Sequence, residues 1–312
     1  MRQEAVKVMQ KHRESKLDHS YLYCNIYGKS YVRRRTRPQK LGSVRLFYRR
    51  SSLGACDARE GGESMNLKDF FQENPKVAIA FSGGVDSAYL LYAAKQYANT
   101  VRAYYVASEF QPAFELEDAK RLAKVLDADV KILSVSALSI PGVKENPANR
   151  CYFCKQGIFG TIWKAAKEDG FEVLLDGTNA SDDAGDRPGM KALQELSVRS
   201  PLRECGLTKN QIRQLSKEAG LFTWDKPAYA CLATRIPTGE LLTKEKLAAT
   251  EAAEGYLFSL GFRDFRVRAK DGHARIQLPE EQWELLMHRR AEILKELKQY
   301  YVTVSLDLEV RG

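Results

Sequence analysis

The chain has no apolar run approaching the roughly 20 residues that a membrane-crossing helix needs. Its first residues also lack the short apolar core of a signal peptide. No membrane span is expected, and the cytoplasm is the expected compartment. Histidine is scarce, with four in 312 residues, two near the start and two near the end, so no histidine-built metal centre is indicated. The body of the chain also lacks a charge bias. Residues 1–64 carry 15 Lys+Arg against 6 Asp+Glu, which accounts for the whole net charge of +9, while residues 65–312 hold 34 of each. A general basic face for nucleic acid is therefore not expected on the body. Six cysteines in a chain without a signal peptide read as reduced thiols, a metal site or catalytic groups, not as a disulfide framework.

What is present has a clear order. Residues 1–64 form a basic, weakly periodic segment, expected to be an extension outside the fold or a start upstream of a true beginning at Met65, with an RNA- or partner-binding arm as the competing reading. From residue 76, short apolar runs alternate with helical stripes. Strands are expected at 77–81, 101–107, 129–135 and 172–177, and helices at 86–97, 115–126 and 156–167. This alternation predicts an α/β fold with a doubly wound parallel sheet, in which ligands sit beyond the carboxyl ends of the strands. A loop-rich stretch follows, with short helices at 190–196 and 209–218, the second capped by Thr208. From Gly239 the pattern becomes helix (244–260), strand (265–268), strand (274–278), helix (279–297) and strand (302–308), a small α+β unit. The expected domains are thus 1–64, 65–238 and 239–312.

The first chemical signal is SGGVDS, residues 82–87, joining the first buried strand to a helix. Gly83 and Gly84 allow a tight turn and close backbone approach. Ser82 and Ser87 add hydroxyl donors, and the helix start favours an anion. Asp86 is placed to position Mg²⁺. The motif lacks the lysine that ends a Walker A loop. It resembles instead the PP-loop ATP pyrophosphatases, and that resemblance implies cleavage of ATP to AMP and pyrophosphate with adenylation of a second substrate.

The second signal is thiol-based. Cys151 and Cys154 form a C-x₂-C pair in RCYFCK, and Cys231 stands in ACLATR. A redox dithiol, structural zinc and a 4Fe–4S cluster with one open iron all use such pairs. Zinc needs a fourth ligand, and none is obvious. Arg150, Lys155 and Arg235 are the cations nearest in sequence to these thiols, and Cys205 reads as a bystander.

Three longer strings narrow the resemblance: DGTNASDDAGDRPGMKALQELSVRSPL from Asp176, LTKNQIRQLSKEAGL from Leu207, and WDKPAYACLATRIPTGE from Trp224. Over roughly residue 65 to the C-terminus the chain resembles the LarE family of ATP-dependent sulfur transferases, which build the nickel-pincer nucleotide cofactor of lactate racemase-type enzymes. The resemblance implies ATP and Mg²⁺ as cofactors and pyridinium-3,5-biscarboxylic acid mononucleotide as substrate. It also implies a homo-oligomer, and as partners a sulfide donor and a downstream nickel-insertion protein. Within that family the sulfur comes either from a single cysteine, matching Cys231, or from a 4Fe–4S cluster held by cysteines matching Cys151, Cys154 and Cys231. The presence of all three favours the cluster form.

Further site candidates follow the fourth strand: Asp176, Thr178, Asn179, Asp182 and Asp183, the last as a Mg²⁺ ligand. Turn chemistry is the competing explanation for that stretch. Arg187, Arg235, Arg266 and Arg268 are expected to grip phosphate or carboxylate, with Arg266 and Arg268 on one strand face and Val267 inward. Glu254 is either a counter-charge for the pyridinium or an ordinary helix-surface residue. The rival reading is a PP-loop tRNA thiolase, which should show a basic RNA-binding face.

Overall fold

Alternating side chains on two strands explain why helices cover both faces of one sheet. In β3 (Lys76–Ala80), Val77 and Ile79 join one hydrophobic core while Ala78 joins another. In β4 (Thr100–Ala107), Ala103 and Tyr105 point to the first core, and Tyr104 and Val106 to the second. A strand buried on both faces belongs inside a parallel sheet. The structure is a computed structural model that describes residues 21–24, 30–33, 65–182 and 188–311. Two units are distinguished, Met1–Asp57 and Ala58–Gly312. Of the first unit, an antiparallel pair is described, β1 (Tyr21–Cys24) with β2 (Ser30–Arg33), within the segment read as an extension.

In the second unit the parallel sheet runs β5 (Val130–Ser134), β4, β3, β6 (Leu174–Leu175). The chain starts in β3, winds outward through β4 to β5, then returns to β3's other side. The crevice between β3 and β6 is thus the topological switch point, where ligands bind in such sheets. One face carries α1 (Leu67–Glu73), α2 (Val85–Tyr97), α3 (Ala113–Val125), α6 (Pro201–Glu204) and α7 (Lys209–Glu218), through Phe70, Phe71, Leu90, Leu122, Leu202 and Ile212. The other carries α4 (Arg150–Glu168) and α5 (Pro188–Glu195), through Ile162, Ala166 and Leu193. The expected fold class is the one observed. The helix Leu67–Glu73 was not anticipated, although Asn66 caps it by accepting from Asp69 N.

The C-terminal part has its own core. The helix α8 (Lys244–Ser259) precedes β7 (Arg266–Lys270), which pairs antiparallel with β8 (His273–Gln277); β9 (Thr303–Leu306) joins β8 in parallel. Val267 faces Ile276 and Ala269 faces Ala274 across β7 and β8, all buried with Leu257 of α8. The single helix expected over 279–297 is instead a 3-10 turn followed by α9 (Trp283–His288) and α10 (Arg290–Leu297). The break falls at Arg289, whose ψ of 6° departs from helical geometry. None of the helices among the described residues is long and apolar enough to cross a membrane.

Candidate active site

The carboxyl end of β3 leads straight into the SGGVDS turn. Gly83 has φ +73°, and a Cβ there would lie 3.3 Å from Ala119 Cβ and 3.4 Å from the Glu115 carbonyl. Glycine is thus required both by conformation and by the close pass of α3. Gly84 is the N-cap of α2 and contributes no side-chain cap, which leaves the first-turn N–H groups available to an anion. The serines brace the turn: Ser82 Oγ and Ser87 Oγ lie 3.0 Å apart, Gly84 N donates to Ser82 Oγ at 3.3 Å, and Ser87 Oγ donates to the Gly84 carbonyl at 3.2 Å. From β6, Gly177 closes the other wall. A Cβ on it would sit 2.9 Å from Ser87 N, so the two backbones touch with no room for a side chain.

Asp86 lies in the first turn of α2, and its Oδ2 pairs with Lys209 Nζ at 2.5 Å. Its Oδ1 is buried and accepts no hydrogen bond. Burial pushes the Asp86 carboxyl above the usual carboxylate range, with Lys209 acting in the opposite direction. A buried anionic oxygen without a partner is the donor chemistry that a hard divalent cation completes, so the site fits Mg²⁺ with its nucleotide. Lys209 stands at the start of α7, where Thr208 and Gln211 form a reciprocal capping box. It supplies the positive charge that the SGGVDS motif lacks, from 123 residues away.

The residues after β6 are drawn into local turns. Asp176 accepts from Thr178 Oγ1 at 2.5 Å and from Ser200 Oγ at 2.6 Å. Asn179 accepts from Ser181 N at 2.8 Å, and Asp182 accepts from Asn179 N at 3.0 Å. These are the turn and capping bonds such side chains make. Asp183 and Arg187 lie outside the described residues.

The thiols come from two segments. The helix expected to begin at 156 begins at Arg150, so Cys151 and Cys154 sit three apart in its first turn, on one face. Cys231 caps a 3-10 turn, Leu232–Arg235. Cys151 is exposed, and Cys154 and Cys231 are half-buried against a shared apolar core with Phe110, Val143 and Leu232. Burial pushes the Cys154 thiol up to about 12, with Cys231 and Cys151 adding to the rise. Burial also raises the Cys231 thiol, while the Arg150 guanidinium acts to lower it. Among the described residues no three His, Cys, Asp or Glu side chains form a ready-made metal-holding group. Cys205 packs against the core beneath the sheet, its thiol pushed up by burial to about 11.

Lys155 follows Cys154 on α4. Burial lowers its pKa, and the opposing influences come from Asp176 on the nucleotide side and from Cys151 and Cys154 on the other. Its chain crosses Gly189, where a Cβ would meet Lys155 Cδ at 3.0 Å.

The remaining charged candidates hold the Cys231 segment. Arg235 and Glu254 are each only 1% exposed and form a two-pronged pair, Nε to Oε1 at 2.9 Å and Nη2 to Oε2 at 3.0 Å. Glu254 also accepts from the Tyr229 hydroxyl and from Val267 N. The Glu254 carboxylate is thus taken up inside the protein and is not an ordinary helix-surface residue. Arg266 donates to the carbonyls of Phe265 and Ala228, and Arg268 to the Thr234 carbonyl and Gln277 Oε1. Burial, followed by repulsion from Arg235, lowers Arg266 to about 10. Val267 is inward as expected, but Arg266 is buried as well.

Comparison with known proteins agrees with this geometry. Residues 76–144 match the family model described as queuosine biosynthesis protein QueC. An uncharacterized protein of Synechocystis sp. is 38% identical over 249 residues, covering 78% of this chain and 92% of that protein. The pyridinium-3,5-bisthiocarboxylic acid mononucleotide synthase of Lactiplantibacillus plantarum is 37% identical over 207 residues, 66% of this chain and 75% of that enzyme. The tRNA-specific 2-thiouridylase MnmA of Thermotoga petrophila is 24% identical over 191 residues, 47% of this chain and 52% of that enzyme. With its switch-point phosphate loop and its similarity along most of the synthase, the chain belongs to the pyridinium-3,5-bisthiocarboxylic acid mononucleotide synthase family, the LarE family.

Proposed function

We propose that this chain is an ATP-dependent sulfur transferase that adenylates the carboxylates of pyridinium-3,5-biscarboxylic acid mononucleotide and converts them to thiocarboxylates. The observation that supports this reading is the switch-point loop itself, where Gly83 and Gly177 leave no room for side chains and Asp86 Oδ1 is buried without a partner.

A carboxylate resists sulfur attack because its oxygen leaves poorly. Adenylation makes AMP the leaving group and releases pyrophosphate. The backbone N–H groups after Gly84 and the ammonium of Lys209 take the charge of the departing pyrophosphate. Asp86, with its unpaired oxygen, would hold Mg²⁺, which would neutralise phosphate charge there. Lys155 draws the acyl phosphate towards the thiols, and Arg187 and Arg268 contribute to gripping the mononucleotide. Glu254, Arg235 and Arg266 serve the site by holding the Cys231 segment.

Cys151, Cys154 and Cys231 are three soft donors without a fourth, a set that fits a 4Fe–4S cluster in kind. When bound, the cluster supplies an iron open to sulfide. We assign 65–238 to nucleotide binding and 239–312 to a supporting domain with its own core. The protein is read as a cytoplasmic homo-oligomer.

The test is anaerobic purification with iron and acid-labile sulfide analysis and a visible spectrum, alongside pyrophosphate release with the mononucleotide. Iron and sulfide near four per chain are expected, abolished in Cys154→Ala, with pyrophosphate release retained. A colourless, iron-free protein that turns over once while Cys231 loses its sulfur would replace the cluster with the sacrificial-cysteine route.

A further inference from the structure

The two thiol-bearing segments, about 80 residues apart, are stitched together at a buried polar junction. Asn146 is fully buried, with φ +53°. Its carbonyl accepts from Gly239 N at 2.8 Å, and its Nδ2 donates to the Pro237 carbonyl at 2.7 Å. Its Oδ1 accepts from Arg150 Nη1 at 2.5 Å. The same nitrogen reaches the Ala233 carbonyl at 3.1 Å, and Nη2 lies 4.0 Å from Cys151 Sγ. Leu242 N adds a bond to the Lys144 carbonyl at 2.9 Å.

Arg150 is 8% exposed and forms no ion pair among the described residues. A buried guanidinium balanced only by carbonyl and amide oxygens is expensive, and an apolar residue would pack there at lower cost. The charge makes sense if an anion forms beside it, and the thiol of Cys151 lies within reach of its outer nitrogen.

We propose that Arg150 is a positioning residue for the sulfur-delivering centre: clamped by Asn146 and the Ala233 carbonyl, it sets the spacing between the C-x₂-C turn and Cys231 and supplies the buried positive charge that balances anionic sulfur. This rests on reading Cys151, Cys154 and Cys231 as that centre. Spacing and charge are separable. Lysine keeps the charge, but its chain ends short of Nη1, the nitrogen that bonds both the Asn146 oxygen and the Ala233 carbonyl, and it has no second nitrogen to face Cys151. Methionine keeps the bulk and removes the charge. Glycine at 146 suits the positive φ and removes only the side chain.

The experiment uses the full chain with Arg150→Met, Arg150→Lys and Asn146→Gly, each checked by circular dichroism and melting. Two readouts are taken without metal or substrate. Mild oxidation with diamide, followed by peptide mapping, measures the disulfide linking Cys231 to Cys151 or Cys154. Alkylation rates are compared for neutral iodoacetamide and the dianionic reagent dithionitrobenzoate. Wild type should cross-link and favour the anionic reagent. Arg150→Met should cut that preference roughly tenfold, and cross-linking roughly tenfold as the spacing is lost. Arg150→Lys and Asn146→Gly should keep the preference while losing much of the cross-link. Unchanged cross-linking and preference in folded Arg150→Met would overturn the proposal. If that variant does not fold, unchanged cross-linking in both of the others overturns it. A wild type that never links Cys231 to the helix pair overturns the underlying three-thiol centre instead.

Discussion

Lys209 Nζ rests on Asp86 Oδ2, tying the first turn of α7 to the first turn of the phosphate-loop helix. In the proposed function the ammonium takes the charge of the departing pyrophosphate, and it favours the ionised form of a carboxylate that burial disfavours.

Lys209→Met should therefore do two things. Pyrophosphate formation should fall by roughly two orders of magnitude, as when one charge-stabilising donor is removed. The acidic limb of its pH profile should also move upward. Asp86 is already raised by burial, and removing the group that lowers it raises it further, so the active carboxylate is lost at higher pH than in wild type. Initial rates of pyrophosphate release across pH check both effects; a lower rate with an unmoved limb would separate Lys209 from Asp86.

Glu115 lies in the first turn of α3, and burial pushes its carboxyl up to about 7, with Lys226 opposing. A carboxyl raised on folding stabilises the fold below the ordinary carboxylate range, and that stability is lost as pH rises through about 7. Glu115→Gln should thus gain stability over wild type at about pH 8 and not near pH 4. Partial exposure limits the gain to roughly 2 kcal/mol. Urea unfolding at the two pH values measures it.

The Arg235–Glu254 pair is buried on both sides. Glu254→Gln should cost about 3–5 kcal/mol, because a guanidinium is left buried without its charge partner. Replacing both, as Arg235→Met with Glu254→Leu, should recover part of the loss. Chemical denaturation distinguishes the two; equal losses would mean that Tyr229 and Val267 N depend on the carboxylate as much as Arg235 does.

Two glycine substitutions should move in opposite directions. Gly177→Ala drives a methyl into Ser87 N and should lower ATP affinity and cost about 1–3 kcal/mol. Gly160→Ala, inside α4 with open space around it, should stabilise by about 0.5–1 kcal/mol. ATP titration and melting of each variant form the check.

The sheet and its loop were legible because their signals are local. Val77 to Phe81 is an apolar run ending at glycines, and Thr208 to Gln211 is a capping box spelled out in four residues. The start of α4 was hidden because Cys, Tyr and Phe are weak helix formers following Pro147. Lys209 and Asn146 were hidden for a different reason: their partners at Asp86 and at Pro237 are remote in sequence, and no local pattern marks a residue whose work is done at long range. Glu254 looked like a surface glutamate or a ligand contact, since helix periodicity does not reveal that an arginine from another segment fills its carboxylate.

The thiols have unequal surroundings, and this bears on how such proteins diverge. Cys151 is exposed at a helix start and Cys154 is half-buried beside it, while Cys231 is anchored through Leu232 N to the Phe110 carbonyl and through its own carbonyl to Thr234. A lineage can therefore replace the helix pair by small steps near the surface and keep Cys231 in place. Passing from three thiols to one asks for substitution at Cys151 and Cys154 in one short stretch of α4 and leaves the architecture untouched.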